Sequence, residues 1–205
     1  MTQKDHWEQT YETIATEKLG WFTPHLQTSL NWIKELSLTT DAPIIDVGGG
    51  ASTLVGDLLE AGYGSITVLD VSEKALSSVK ARLGKRAKLV EWLEGDITTI
   101  DLPAEYYDLW HDRAVFHFLN EPGQQRQYRD RLLSALKPGA HLIIGTFAPE
   151  APARCSGLPV QRYSQERLAN TLGGAFELIR QKNELHVTPG GIEQMYLYCH
   201  FRKMA

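Results

Sequence analysis

Short apolar runs alternate along the chain with stretches whose apolar positions recur at helical spacing. Pro43 to Val47, Ser65 to Asp70, Lys88 to Leu93, Tyr107 to His111 and Ala140 to Phe147 are the apolar runs, rich in Val, Ile and aromatic residues. Runs of that length and composition predict strands, several of them buried on both faces. Between them, Leu54, Val55, Leu58 and Leu59 share one helical face, as do Ala75, Leu76, Val79 and Leu83. A further helix is expected from a cap at Asn120, with Pro122 in its first turn, to a stop before Lys137-Pro138-Gly139. Strand–helix alternation implies parallel strands joined by right-handed crossovers, an α/β doubly wound sheet.

The two ends of the chain read differently. Leu26, Leu30 and Ile33 are helically spaced, Trp7 and Tyr11 lie one turn apart, and Trp21-Phe22 follow. Residues 1–40 are therefore a helical appendage, a candidate lid, and residues 41–205 the main domain. At the other end, Phe176 to Val187 reads as a strand and Thr188-Pro189-Gly190-Gly191 as a turn. Met195, Leu197, Cys199 and Phe201 then alternate with Tyr196, Tyr198 and His200, which makes an antiparallel hairpin.

Composition narrows the class. The chain has 205 residues, 42% hydrophobic and 22% charged, as a globular domain has. Lys and Arg total 21 against 25 Asp and Glu, a net charge of -4, which argues against a dedicated nucleic-acid binder. The basic run Lys80, Arg82, Lys85, Arg86 and Lys88 reads as a solvated helix end. Two cysteines make no disulfide framework, no apolar run approaches the roughly 18 residues of a membrane span, and the first residues lack a signal-peptide core. The expected location is the cytoplasm. The histidines show no metal-ligand spacing, so no metal is expected.

The chemistry begins at the turn after the first strand, Asp46-Val47-Gly48-Gly49-Gly50-Ala51-Ser52. Glycines there let a ligand approach the backbone at a helix start. Asp70, closing the second strand, is placed to receive ribose hydroxyls. A carboxylate immediately before the glycines would repel a pyrophosphate and suit a cationic ligand, such as S-adenosylmethionine with its ammonium and sulfonium groups.

These features resemble the class I S-adenosylmethionine-dependent methyltransferases. Asp46-Val47-Gly48-Gly49-Gly50 is similar to the family's first motif, Asp70 to its second-strand acid, and Glu94-Gly95-Asp96-Ile97 to its acid after the third strand. Leu136-Lys137-Pro138-Gly139-Ala140 matches the turn into the family's fifth strand, and the resemblance spans roughly residues 40–203. Ser52 and Ala140 depart from commoner glycines without losing a charge or a strand. The resemblance implies a Rossmann-like three-layer sandwich with a mostly parallel seven-stranded sheet and a C-terminal antiparallel hairpin. It also implies S-adenosylmethionine as methyl donor and S-adenosylhomocysteine as product. Gly48, Gly49 and Gly50 would face the methionine part, with Asp46 beneath it. Asp70 would meet the ribose, Asp96 and Ile97 the adenine, and Val71 and His111 would also contact the cofactor.

The segment after the fourth strand, His111-Asp112-Arg113 through His117, would lie beside the transferable methyl. His111, Asp112 and His117 are the candidate bases, and Arg113 would orient an acidic acceptor or pair with Asp112. The aromatic N-terminus looks like that of a subgroup with a Trp-x-x-x-Tyr helix and a Trp-Phe pair, which includes protein-lysine methyltransferases. Thiopurine- and tellurite-type small-molecule enzymes have comparable helices. Trp21 and Phe22 are thus acceptor candidates, as are Arg162 and Tyr163 in the proline-rich loop after the fifth strand. Cys155 in that loop has only Arg154 beside it to activate a thiolate. The leading reading is methyl transfer to a small molecule, at N, O or S. The alternatives are a protein-lysine methyltransferase, an NAD-dependent oxidoreductase, or a non-catalytic binding module. Oligomeric state is not legible.

Overall fold

The computed structural model describes residues 2–205. Nine strands form: β1 (Ile44–Val47), β2 (Ile66–Asp70), β3 (Val90–Glu94), β4 (Tyr107–Arg113), β5 (Leu136–Phe147), β6 (Arg154–Cys155), β7 (Leu158–Pro159), β8 (Phe176–Val187) and β9 (Glu193–Lys203). The α-helices are α1 (Gln3–Thr13), α2 (Gln27–Glu35), α3 (Leu54–Glu60), α4 (Glu73–Leu83), α5 (Pro122–Ala135) and α6 (Gln165–Leu172). Seven strands make one sheet in the order β3-β2-β1-β4-β5-β9-β8, and β6 pairs with β7 in a small ribbon. β1 to β5 run parallel, while β9 runs antiparallel to both β5 and β8. Chain order reverses between β1 and β4, and a crevice opens there at the carboxyl ends of the strands.

The continuous burial of β1 and β2 follows from helices on both faces. Successive residues point to opposite sides. Ile44, Val68, Leu109 and Ile143 pack with α2, α3 and α4, whereas Ile45, Leu69, Trp110 and Leu142 pack with α5 and α6. Leu30 and Ile33 of α2 belong to the first of these cores.

Some boundaries differ from the pattern-based expectation. Asn120 does not cap α5. Its amide donates to the Phe118 and Pro159 carbonyls, at 3.2 and 2.9 Å, and Gln124 accepts from the Glu121 N–H instead. β5 begins at Leu136, because a register shift after Tyr107 lets the Lys137–Gly139 turn ride within the strand. Ser164 caps α6 by accepting from the Arg167 N–H at 3.2 Å. Among the described residues no helix is long and apolar enough to cross a membrane.

Candidate active site

The groove floor is the β1 turn. Gly48 has φ +68°, and a side chain there would overlap Val115. A Cβ on Gly49 would collide with the Asp46 carboxylate, and one on Gly50 would lie 2.6 Å from Asp70 Oδ2. The turn therefore brings bare backbone against two carboxylates, which only glycine permits.

Asp70 is held by the main chain: Oδ2 accepts from the Gly50 N–H at 3.0 Å and Oδ1 from the Ser72 N–H at 2.9 Å. Burial pushes its pKa up to about 6; the two N–H bonds restrain that rise and the Asp46 charge adds to it. Asp96 Oδ1 accepts from the N–H and hydroxyl of Thr98, at 2.8 and 2.7 Å, which fixes the turn after β3.

Sheet register explains the next set. Asp46 pairs with His111 across β1 and β4, on the α2 side of the sheet. His111 Nδ1 lies 2.7 Å from Asp46 Oδ1, and its Nε2 lies 2.8 Å from Ser29 Oγ on α2. A carboxylate only accepts, so Nδ1 donates to Asp46, and Nε2 shares a hydrogen bond with the Ser29 hydroxyl. Asp46 Oδ2 is buried and has no protein partner.

Asp112, one residue on, points to the other side. It accepts from the Val115 and Phe116 N–H groups, at 2.9 and 3.1 Å, and from the Tyr128 hydroxyl of α5 at 2.7 Å. Burial pushes its pKa up to about 6, against the Tyr128 hydrogen bond. His117 is fully buried between Phe118 and Phe147, and its Nδ1 accepts from the Phe147 N–H at 3.2 Å. Burial, with Arg113 nearby, drives its pKa down to about 3, so the ring is neutral.

Two joined cavities lie above this floor. The larger, about 780 Å³ including its mouth, runs along Val47, Gly48, Asp70, Val71, Asp96 and Ile97. Its roof and far wall are Trp7, Tyr11, Trp21, Arg113, Phe118 and Cys155. The smaller, about 400 Å³, is lined by Phe22, Asp46, Ser52, Thr53 and His111, and shares Trp21, Val47, Gly48 and Arg113 with the first. The roof rings meet at angles: Trp7 lies 5.5 Å from Trp21 and 5.1 Å from Phe118, both nearly perpendicular. Among the described residues, no group of His, Cys, Asp and Glu is set to hold a metal ion.

Gly48, Asp70, Val71, Asp96, Ile97, Asp46, His111, Trp21, Phe22 and Arg113 thus converge on one groove, and Gly49 and Gly50 lie buried beneath it. Asp112, His117, Arg162 and Tyr163, expected at the acceptor, line neither cavity. Asp112 and His117 brace the turn after β4. Arg162 donates to the Pro149 and Ala151 carbonyls, at 2.9 and 3.1 Å, and so ties down the proline-rich loop. Tyr163 is fully buried, with its ring 5.5 Å from Phe116. Ser29, Tyr198 and Phe118 enter the site without having been singled out in the sequence. Ser29 carries no local signal, whereas Phe118 stands in the aromatic run after β4. Cys155 lines the cavity, but burial pushes its thiol up to about 11, away from the thiolate.

A mostly parallel sheet with glycine turn, strand-end acid and crevice at the order reversal defines a Rossmann-like fold, whose ligands bind at such a crevice. Residues 44–139, just under half of the chain, match the family model described as a methyltransferase domain, and that stretch is similar to a class I S-adenosylmethionine-dependent methyltransferase domain. It is 24% identical over 165 residues to the mouse (Mus musculus) "eEF1A lysine and N-terminal methyltransferase". That match covers 71% of this chain and 23% of the relative, so the chain spans about a quarter of the mouse protein's length. The fold is also that of a structure described for "Conversion of a Disulfide Bond into a Thioacetal Group during Echinomycin Biosynthesis". That pair has TM-score 0.80 and 17% identity, over 99% of this chain and 92% of the other. The fold is shared too with Burkholderia thailandensis 1,6-didemethyltoxoflavin-N1-methyltransferase, solved with 1,6-didemethyltoxoflavin and S-adenosylhomocysteine. There the TM-score is 0.74 at 18% identity, over 98% of this chain and 87% of that one.

Proposed function

We propose that the protein transfers a methyl group from S-adenosylmethionine to a small-molecule acceptor. The observation that carries this reading is the orphaned Asp46 Oδ2, buried at the glycine turn at one end of a groove whose other end holds Asp70 and Asp96. A buried carboxylate oxygen without a partner is costly unless a ligand donor completes it. An ammonium group fits there, a ribose diol fits Asp70, and an adenine fits the Asp96–Ile97 turn. A pyrophosphate does not fit, because Asp46 stands where its charge would lie.

When bound, S-adenosylmethionine supplies a methyl carbon on a positively charged sulfur, and the acceptor's lone pair takes that carbon while the sulfur keeps the bonding electrons. The chain's own part is alignment and exclusion of water. Asp46, oriented by His111 and Ser29, holds the ammonium end. Trp7, Trp21 and Phe118 close the roof. The acceptor end of the cavity carries no free base: both His111 nitrogens are engaged, and His117 is buried and turned into the wall. The acceptor therefore brings an available lone pair of its own.

The roofed cavity supports a small acceptor, as does the fold neighbour solved with 1,6-didemethyltoxoflavin. The match to a lysine methyltransferase over 71% of the chain favours a protein amine as the second reading. Calorimetry with S-adenosylhomocysteine, with NAD as control, tests the cofactor half. Binding of the former alone supports the proposal, and binding of NAD alone overturns it. Turnover on small acceptors against lysine-containing proteins then separates the two acceptor readings.

A further inference from the structure

Arg113 is the one charged side chain in the roof and far wall of the larger cavity, and its setting is unusual. It ends β4 opposite Gly145 of β5. A Cβ on Gly145 would lie 3.2 Å from the Tyr198 ring and 3.5 Å from Arg113 Cγ, so the glycine makes room for both side chains. Nε donates to the Tyr198 hydroxyl at 2.9 Å, and Nη1 to the Trp21 carbonyl at 3.0 Å. The guanidinium carbon stands 4.2 Å from the centre of the Tyr196 ring. Three groups thus lock the plane of the fork, which a guanidinium loses little entropy in accepting.

Those partners are all uncharged. Among the described residues no carboxylate forms an ion pair with Arg113, although Lys4, Lys74, Lys137, Lys182, Arg86 and Arg180 each have one. Nη2 has no protein hydrogen-bond partner, and the side chain lines both cavities. The cation is held charged, with Glu184 acting on it from beyond ion-pair distance, so its open N–H edge faces the cavity with no carboxylate in direct contact. Of the groove acids none pairs with Arg113: Asp46 pairs with His111, and Asp70 and Asp96 accept from main-chain N–H groups on the floor.

The walls around Arg113 specify the rest of the ligand. Trp7, Tyr11, Trp21 and Phe118 present ring faces and edges, with Trp7 perpendicular to both Trp21 and Phe118. Such a slot takes a flat, apolar body. Aromatic faces alone would also attract a cation, but Arg113 would repel it. Resting on the methyltransferase reading, we propose that the acceptor is a planar aromatic anion, its negative group bound by Arg113 and its ring held between Trp7, Trp21 and Phe118. Arg113 is then the specificity-determining residue, and it disfavours a lysine ammonium.

The test is calorimetry on the full chain saturated with S-adenosylhomocysteine. The probes are 6-hydroxy-2-naphthoate, its uncharged carboxamide, and the planar cation N,N,N-trimethylanilinium. The naphthoate is expected to bind about tenfold or more tighter than the carboxamide, with no binding of the cation. Arg113→Met should bring naphthoate and carboxamide within about twofold of each other, and Arg113→Lys should keep part of the preference. S-adenosylhomocysteine affinity should stay within about twofold in both variants. Equal binding of anion and carboxamide, preference for the cation, or no binding of any probe would each overturn the proposal. So would a tenfold loss of S-adenosylhomocysteine affinity in Arg113→Met, because the guanidinium would then serve the cofactor's carboxylate. The anion–carboxamide comparison on the unaltered protein stands even where a variant does not fold. Failure of S-adenosylhomocysteine to bind at all would instead remove the underlying methyltransferase reading.

Discussion

Asp46 and Asp70, in the floor of the groove, are almost wholly buried and held by backbone N–H groups, a histidine and the glycine turn. The cover is held differently. Trp7 and Tyr11 pack their rings in the roof, and the polar ties of α1 to the body are Lys4–Glu94 at 2.5 Å, Lys74–Glu12 at 2.7 Å and the Glu73 N–H donating to Glu8 at 2.7 Å. All three ties lie at the exposed surface. Buried, backbone-anchored groups resist displacement, whereas exposed ion pairs are worth about 0–1 kcal/mol and weaken with salt. The floor is thus anchored through buried groups, whereas the ion pairs of the cover lie at the surface.

Substitutions can break or sharpen that contrast. The largest effect is expected from Gly48→Val, which needs a left-handed φ and overlaps Val115. S-adenosylhomocysteine binding should fall by about a hundredfold or more in calorimetry. His111→Ala leaves Asp46 buried without its ring partner. A loss of about 3–5 kcal/mol in urea unfolding is expected, with weaker S-adenosylhomocysteine binding. Slower turnover with stability and affinity intact would instead restore His111 as a base.

Asp70→Ala should cost about 1.5–3 kcal/mol of S-adenosylhomocysteine affinity, through lost charge-assisted hydrogen bonds. The ionised carboxylate is the form that accepts two hydroxyls. With its pKa near 6, affinity in the unaltered protein should decline as pH falls through about 6, and Asp70→Ala should flatten that profile. On the cover, Trp7→Ala should lower kcat/KM about tenfold and leave S-adenosylhomocysteine binding nearly unchanged. An equal loss of both would make Trp7 part of the floor. Lys4→Ala should change stability by less than about 0.5 kcal/mol, and a larger shift in melting would mean the latch is stronger than an exposed pair.

Much of the floor was legible because its signals are local. Asp46 precedes its glycines by two residues, and Asp70 ends an apolar run. The parallel direction of the first five strands follows from strand–helix alternation. The acceptor side was less legible. Position along the chain made Asp112 and His117 look like bases, yet strand alternation sends Asp112 to the α5 side, opposite His111, and His117 turns in beneath Phe147. Arg162 and Tyr163 lie in a loop at the right end of the sheet, but Arg162 ties down that loop and Tyr163 packs into the core against Phe116.

The amino-acid sequence by itself determined most of the elements, the sheet class and the glycine turn after the first strand, because periodicity, turn glycines and strand-end acids act over a few residues. Only the tertiary structure decided what each polar group of the acceptor side faces. Ser29 meets His111 from α2, and Trp21 and Tyr198 clamp Arg113 from opposite ends of the chain. Such partners leave no mark in local pattern, because a hydrogen bond depends on the spatial convergence of atoms and not on their separation along the chain.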